Sequence, residues 1–282
     1  MRRDVRGRVV LITGASRGIG MRVAQRLAKL GARIAITARS VSELDKIVLE
    51  LRAGGAEAES FPADLTDPRE RELMVASVVE KFGGLDVLLN CAGVCSFGEF
   101  STSTEEIVRQ VLEVNFFAQA EMIRLCQPWL TLARSASKGS EGFRPAVVNV
   151  ASICGRWGIP SMSEHCASKH ALVGLTEALR GEFERFGIDV LLVLPGMVKS
   201  DDLNRHLLRN EGKIYLDFDG AQSADEVADG LVRSLLRNRT ETPIGSVSRW
   251  VCLLRRVWPR SVRFFMQRKV WKYEKRHHQP DA

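Results

Sequence analysis

Short apolar runs alternate with helical stretches along most of this 282-residue chain, and this alternation limits the possible folds more than any other feature. Helical periodicity fills most of the intervals between the apolar runs, which indicates a parallel sheet covered by helices on both faces. Six runs are predicted to be strands: Val9 to Thr13, Arg33 to Ala38, Glu57 to Ala63, Val87 to Asn90, Ala146 to Val150 and Val190 to Leu194. The predicted fold class is α/β, a doubly wound parallel sheet of the Rossmann type.

A glycine-rich segment, TGASRGIG, stands between the first strand and a predicted helix, Met21 to Leu30. Glycines in such a turn let the backbone approach a pyrophosphate, and the amino terminus of the helix offers free N–H groups and a favourable dipole. Glycines alone would be weak evidence, because many turns require them. The position between strand and helix favours a dinucleotide site over a simple turn.

The end of the second strand indicates which dinucleotide is preferred. An NAD site usually has an acidic residue there, whereas a guanidinium suits the 2′-phosphate of NADP. This chain has Arg39 there, between Ala38 and Ser40, and Arg17 adds a second cation within the glycine segment. NADP(H) is therefore the predicted cofactor. The alternative is that both arginines are merely solvated, as surface arginines commonly are.

Ser152, His165 and Lys169 form a spaced triplet: the histidine lies thirteen residues after the serine, and the lysine follows four residues later. Together with the TGxxxGxG spacing of the glycine segment, this triplet resembles the active-site pattern of the short-chain dehydrogenase/reductase family. Members of that family have a tyrosine at the position of His165, and its phenol exchanges a proton with the substrate oxygen. His165 departs from the pattern.

The resemblance extends over roughly residues 7 to 240 and implies roles for further residues. Asp64 would bond the adenine, the NCAGV segment would shape the cleft, Asn115 would support the lysine through water, and the PGMVKS turn would meet the nicotinamide. The implied catalytic residues are Asn115, Ser152, His165 and Lys169. The implied cofactor-binding residues are Gly14, Ser16, Arg17, Gly18, Ile19, Gly20, Arg39, Ser40, Asp64, Leu65, Asn90, Ala92, Gly93, Lys169, Pro195, Gly196, Val198 and Ser200.

A histidine in place of the tyrosine alters the chemistry expected of this site. Its ring reaches less far than a phenol, and the positive charge of Lys169 is expected to push its pKa below the ordinary value of about 6.5. A mostly neutral imidazole favours alcohol oxidation, or carbonyl reduction at mildly acidic pH. Three hypotheses stay open: a working histidine, a degenerate site that only binds NADP(H), and a lesion at a former tyrosine. Tyr215 is a candidate replacement donor.

The carboxy-terminal segment, residues 246–282, carries the basic character of the chain. It has ten Lys or Arg and two Asp or Glu, a net charge of +8, whereas the whole chain carries +7. One predicted helical face is apolar and another is basic, with a break at Pro259. The apolar face comprises Val247, Trp250, Val251, Leu254, Val257 and Trp258, and the basic stripe comprises Arg249, Arg256, Arg260 and Arg263. An anionic membrane surface and packing on a subunit are both compatible with this pattern.

The predicted organisation is one domain, residues 1–245, with a substrate lid at about 199–222, followed by the basic tail. The polar stretch Ala133 to Phe143 is predicted to be a surface insertion. No run of eighteen apolar residues and no secretory signal is evident, so a cytoplasmic protein is expected, peripheral at a membrane if the tail binds one. The six cysteines lack metal-ligand spacing and are expected to be reduced thiols, with no metal site.

The predicted function is an NADP(H)-dependent oxidoreductase that interconverts a lipophilic alcohol and its carbonyl, with proton transfer altered by His165. The alternative is a catalytically silent NADP(H)-binding protein that uses its tail for interaction. The family resemblance implies a homodimer or homotetramer. No nucleic-acid partner is expected, because no reader motif accompanies the basic charge.

Overall fold

A computed structural model describes residues 3–136, 143–199, 207–210 and 221–257. The strands are β1 (Val9–Thr13), β2 (Arg33–Thr37), β3 (Ala58–Ser60), β4 (Val87–Asn90), β5 (Cys95–Phe97), β6 (Ala146–Val150), β7 (Asp189–Pro195), β8 (Val198–Lys199), β9 (Leu207–Asn210), β10 (Gln222–Ser223) and β11 (Glu241–Ile244). The helices are α1 (Gly18–Lys29), α2 (Val41–Ala53), α3 (Pro68–Phe82), α4 (Glu105–Leu112), α5 (Ala118–Ala136), α6 (Ser163–Glu184), α7 (Ala224–Leu236) and α8 (Ser246–Val257).

Seven strands form one parallel sheet in the order β11-β7-β6-β4-β1-β2-β3, which confirms the predicted fold class. The chain starts in the middle, at β1, builds outward through β2 and β3, and then returns to β4 on the other side. This reversal leaves a crevice beyond the carboxyl ends of β1 and β4, where open α/β sheets bind their ligands.

The sheet separates two apolar cores. Successive residues of β1 alternate between them, with Val10 and Ile12 on one face and Val9 and Leu11 on the other. Helices α1, α2 and α7 cover the first face, and α3, α5 and the end of α6 cover the second. Burying each large aliphatic side chain stabilises the fold by about 1.5–3 kcal/mol, so the sheet is a rigid base for the loops at its carboxyl edge.

The predicted strand bounds hold best in the centre of the sheet. β1, β4 and β6 begin and end as predicted, while β3 is shorter than Glu57 to Ala63. β11 was not predicted. Its sequence, ETPI, has little apolar signal, and Pro243 lacks the N–H that a central strand needs, yet an edge strand tolerates proline.

Two other expectations need correction or fall outside the described residues. The predicted insertion from Ala133 to Phe143 is partly wrong, because α5 continues to Ala136. Residues 137–142, most of the predicted lid, Tyr215 and the tail beyond Val257 lie outside the described residues. Where the structure is described, no helix has the length and apolar character needed to cross a membrane.

Candidate active site

A cavity of about 510 Å³ opens at the crevice beyond the carboxyl ends of the central strands. Ten of the residues predicted from the sequence line it: Arg17, Ile19, Arg39, Gly93, Ser152, His165, Lys169, Pro195, Gly196 and Val198. Residues as far apart in the sequence as Arg17 and Val198 thus converge on one cavity. Ser200, also predicted, lies outside the described residues.

The glycine segment packs backbone against backbone. Gly14 has a φ of +64°, and a Cβ placed there would lie 2.6 Å from the Cα of Ala92. A Cβ on Gly20 would lie 2.5 Å from the carbonyl oxygen of Gly14. No side chain fits at either position, so the amino terminus of α1 is left as a bare cradle of the kind that receives a pyrophosphate.

Thr13 ties this cradle to the turn after β4, a role that sequence reasoning missed. Its Oγ1 accepts hydrogen bonds from the N–H groups of Cys91, at 3.0 Å, and Ala92, at 3.1 Å. The signal available in the sequence was a hydroxyl at the end of an otherwise apolar strand. A buried hydroxyl needs partners, and backbone donors of a neighbouring turn can provide them.

Below the cleft, buried amides connect the strands to α6. The side chain of Asn90 is wholly buried and donates to Asn149 Oδ1 at 3.0 Å, and Asn149 donates to Thr176 Oγ1 at 2.9 Å. Asn90 therefore contributes to the cleft indirectly, because it fixes the end of β4 just before the turn that follows this strand. Hydrogen bonds between these buried side chains hold the strands against α6, although Asn90 Oδ1 has no hydrogen-bond partner among the described residues.

Asn115 lies in a π-helical turn, Glu113–Phe117, between α4 and α5. Its Oδ1 accepts from the N–H of Val94 at 2.8 Å, and its Nδ2 donates to the Val94 carbonyl at 2.9 Å and to Ser168 Oγ at 3.0 Å. π-Turns occur frequently at functional sites. The predicted water-mediated support of Lys169 is not tested, but a Cβ on Gly93 would lie 3.2 Å from Asn115 Oδ1 and 3.5 Å from Lys169 Nζ, so the two side chains approach the same point.

His165 lines the cavity from the first turns of α6, and its ring is held by one backbone group. Nδ1 lies 3.1 Å from the carbonyl oxygen of Val94. Because a carbonyl can only accept, Nδ1 is assigned the proton, and Nε2 keeps a free lone pair. Burial, followed by the charge of Lys169, lowers the pKa of His165 to about 3, against a small opposing effect of the Val94 bond. The predicted direction is confirmed, with burial as the larger cause.

Lys169 and Ser152 complete the triplet. The ammonium of Lys169 is buried and donates to the carbonyl of Val150 at 3.1 Å, and burial lowers its pKa to about 8. Ser152 Oγ accepts from the N–H of Cys154 at 3.1 Å and lies 3.5 Å from the carbonyl oxygen of Pro195. The site thus holds a neutral imidazole beside a lysine that titrates closer to neutrality than is usual.

The two predicted phosphate-binding arginines lie at the exposed edge of the cavity, where both line it. Asp64, predicted to bind adenine, lies near Arg39. Burial alone would raise the pKa of Asp64, but hydrogen bonds from Thr66 and the charges of Arg39 and Arg71 lower it overall. Ser16 and Gly18 belong to the cradle, Ser40 precedes α2, and Leu65 follows Asp64 in the loop after β3.

One wall of the cavity is apolar, and sequence reasoning did not find it. It consists of Val94, Cys95, Ile153, Cys154, Ile159, Met162, Met197, Leu207 and Leu208. Leu207 and Leu208 belong to β9, which pairs with β5 at Cys95. Ile153 and Cys154 lie in a 3-10 turn after β6, and the others come from loops. Among the described residues, no group of three or more His, Cys, Asp or Glu is placed to hold a metal ion.

Known proteins share this sequence pattern and fold. The family of short chain dehydrogenases matches residues 8–211. A putative ketoacyl reductase of Streptomyces coelicolor is 36% identical over 192 residues, 68% of this chain and 71% of that protein. Dehydrogenase/reductase SDR family member 7 of Homo sapiens is 29% identical over 270 residues, 94% of this chain and 74% of that protein.

A solved short-chain dehydrogenase from Sphingobium yanoikuyae, in complex with NADPH, superimposes with a TM-score of 0.74 at 27% identity, covering 87% of this chain and 92% of that one. The chain therefore belongs to the short-chain dehydrogenase family. Membership confirms the predicted class, a nicotinamide-dependent oxidoreductase, and the solved complex supports the prediction of NADP(H).

Proposed function

We propose that the chain is an NADP(H)-dependent oxidoreductase that interconverts a lipophilic alcohol and its carbonyl, with proton transfer altered by His165. The observation that carries the proposal is the bond from His165 Nδ1 to the Val94 carbonyl, inside a cavity that also holds Ser152 and Lys169. The apolar wall supports a lipophilic substrate, because it offers few polar partners to a hydrophilic one.

The described residues fit the cofactor. The side-chain-free cradle at Gly14 and Gly20 suits the pyrophosphate, and Arg17 and Arg39 suit a 2′-phosphate. Lys169 would hold the ribose hydroxyls, and the turn at Pro195 and Gly196 would meet the nicotinamide. Bound NADP(H) would supply or accept the hydride.

His165 handles the substrate proton differently from a tyrosine. With Nδ1–H engaged by Val94, Nε2 accepts a hydrogen bond from an alcohol but cannot donate one to a carbonyl at neutral pH. Ser152 supplies a hydroxyl toward the substrate oxygen. Alcohol oxidation is therefore favoured over carbonyl reduction near neutral pH. The base is weak, since its conjugate acid has a pKa of about 3, so turnover should be slow.

The tail adds a second proposed property, attachment to an anionic membrane. On α8, Ser248 is fully buried and Cys252 packs on the domain, whereas Val247, Trp250 and Leu253 are 63%, 62% and 52% exposed. This apolar side of α8 does not pack on its own domain within the described residues. Apolar and aromatic side chains next to a strongly basic segment suit an interface with anionic lipid.

The proposed location is accordingly the cytoplasm, with the domain of residues 1–245 at a membrane surface through the segment that starts at residue 246. A homodimer or homotetramer stays a prediction from the family resemblance. The competing function is the silent NADP(H)-binding protein, which would share the cofactor site and the tail but not the chemistry.

A three-variant series separates the two functions. His165→Phe should abolish oxidation of apolar alcohols with NADP⁺, and His165→Tyr should raise ketone reduction with NADPH at pH 7 by about a hundredfold, the usual scale of general acid catalysis. His170→Phe, on the exposed side of the same helix, is the matched control and should keep the wild-type rates.

Other outcomes of the variant series would contradict the proposed role of His165 or favour the silent NADP(H)-binding protein. A His165→Phe variant that oxidises alcohols at the wild-type rate would show that His165 takes no proton. If wild type and His165→Phe are both inactive while His165→Tyr is active, and all three bind NADPH in calorimetric titration, the silent alternative is correct.

A further inference from the structure

The turn between β7 and β8 is held from outside the cavity by Gln222. Pro195, Gly196, Met197 and Val198 of this turn line the cavity. The N–H of Gly196 donates to Oε1 of Gln222 at 3.2 Å. Gln222 is not among the residues that line the cavity, and the proposed chemistry gives it no role. Its contact with the turn therefore needs another explanation.

The backbone of Gln222 is anchored to the same turn. Its N–H donates to the carbonyl oxygen of Met197 at 2.9 Å, and its Cα pairs with that of Val198 between β10 and β8. The next residue, Ser223, begins α7 and forms a capping box with Glu226. The side chain of Gln222 thus starts from a fixed backbone, so its oxygen is presented to Gly196 at a defined point.

The side-chain amide of Gln222 is also enclosed by two glycines. A Cβ on Gly196 would lie 3.4 Å from Oε1 of Gln222, and it would lie 3.1 Å from Oγ of the buried Ser248. A Cβ on Gly245, which has a φ of +90° and directly precedes α8, would lie 2.7 Å from Cδ of Gln222. The close approach of both backbones leaves the amide little freedom to turn away from Gly196.

The bond to Gln222 sets the orientation of one peptide unit at the edge of the active site. The peptide between Pro195 and Gly196 is trans, so its N–H and its C=O point in opposite directions. The N–H is engaged by Gln222, and the carbonyl oxygen lies 3.5 Å from Ser152 Oγ. Gln222 therefore also fixes the direction in which this carbonyl faces the catalytic serine candidate.

We infer that Gln222 is a positioning residue for the nicotinamide, because it fixes the turn at Pro195 and Gly196 before the cofactor binds. The inference rests on the proposed placement of the nicotinamide at this turn. A turn that is already ordered raises affinity, since binding does not have to order it. The effect is confined to the nicotinamide end, because the cradle at Gly14 and Gly20 is a separate part of the backbone.

Titration calorimetry of the full-length chain with two ligands tests the inference. NADPH carries the nicotinamide ring, and 2′-phospho-ADP-ribose lacks it. Gln222→Met keeps the length of the side chain but removes the acceptor. It should weaken NADPH binding by about fivefold, the scale of one net hydrogen bond, and should leave the affinity for 2′-phospho-ADP-ribose unchanged. Gln222→Glu keeps an acceptor at the same reach and should restore most of the NADPH affinity.

The matched control is Gln127→Met. Gln127 is another half-buried glutamine, and it donates to Thr131 Oγ1 within α5, away from the cavity. This variant should keep the wild-type affinity for both ligands. If Gln222→Met does not fold, Gln222→Asn decides by the same criterion, because it withdraws the acceptor by one methylene.

Three results would overturn the inference. Unchanged NADPH affinity of Gln222→Met would show that the turn does not need the bond. An equal loss of affinity for both ligands would show that Gln222 supports the domain in general and has no particular effect on the nicotinamide. A wild type that binds neither ligand would refute the proposed cofactor site and this inference with it.

Discussion

The proposed cofactor half of the cleft is built from backbone, whereas the proposed catalytic half is built from buried side chains. On the cofactor side, glycines at 14 and 20 leave no space for a Cβ, and the two arginines reach in from the surface. On the catalytic side, burial lowers the pKa values of both His165 and Lys169. A backbone cradle keeps its function as long as the fold persists. A side-chain site changes its chemistry with a single residue, and the proposed role of His165 depends on such a change.

The largest expected effect concerns the cradle. Gly14→Ala should lower the free energy of unfolding by roughly 2–4 kcal/mol, from a Cβ clash with Ala92 and a left-handed backbone, and should abolish NADPH binding. Urea unfolding and calorimetry measure both. Gly174→Ala, on α6 with no atom within 4 Å of the added Cβ, is the control and should not destabilise. Unchanged NADPH binding by Gly14→Ala would show that the cradle is not the cofactor site.

The next effect concerns the buried imidazole and pH. In the unfolded chain His165 titrates near 6.5, and in the folded chain its pKa is about 3. Between these values the unfolded chain binds the extra proton, so the stability that is present above about 6.5 is lost as pH falls. The wild type should lose about 1 kcal/mol per pH unit relative to His165→Gln between pH 6.5 and pH 4.5. The free energy of unfolding of both proteins is measured by urea unfolding at several pH values. If it depends on pH in the same way for both, the imidazole is not desolvated.

The exposed cations of the cofactor half should have a smaller effect. Arg39→Glu should remove the preference for NADPH over NADH, which we expect to be at least about tenfold, or about 1.4 kcal/mol. Lys29→Glu, an equal charge reversal at the far end of α1, should leave the preference intact. Equal affinities of the wild type for the two cofactors in titration calorimetry would refute the assignment of Arg39.

The smallest effect lies outside both halves, on α8. Trp250→Ser should weaken co-sedimentation with anionic vesicles by about fivefold, roughly 1 kcal/mol, and moderate salt should weaken the binding of the wild type. Leu49→Ser removes an equally exposed apolar side chain from α2 and should have no effect. If Trp250→Ser instead changes the oligomeric state and leaves vesicle binding intact, the exposed apolar side of α8 contacts a second copy of the chain.

Sequence periodicity predicted the central strands well. Helices cover both faces of the sheet, so strand residues such as Leu11, Leu88 and Val148 are buried and must be apolar. It did not predict β11, where position at the sheet edge permits Pro243. The apolar wall was also missed, since residues as distant as Val94, Ile159 and Leu207 form it. No local pattern marks residues that are brought together only by the path of the chain.

The sequence by itself determined the family, the glycine cradle and the triplet of Ser152, His165 and Lys169, because each depends on spacing within one strand–turn–helix unit or along one segment. Only the tertiary structure decided which nitrogen of His165 carries the proton, through a carbonyl 71 residues away. It also decided that burial outweighs charge in setting the pKa of His165. Desolvation and hydrogen bonding depend on all neighbours in space, and those neighbours are defined only when the sheet and its helices have packed.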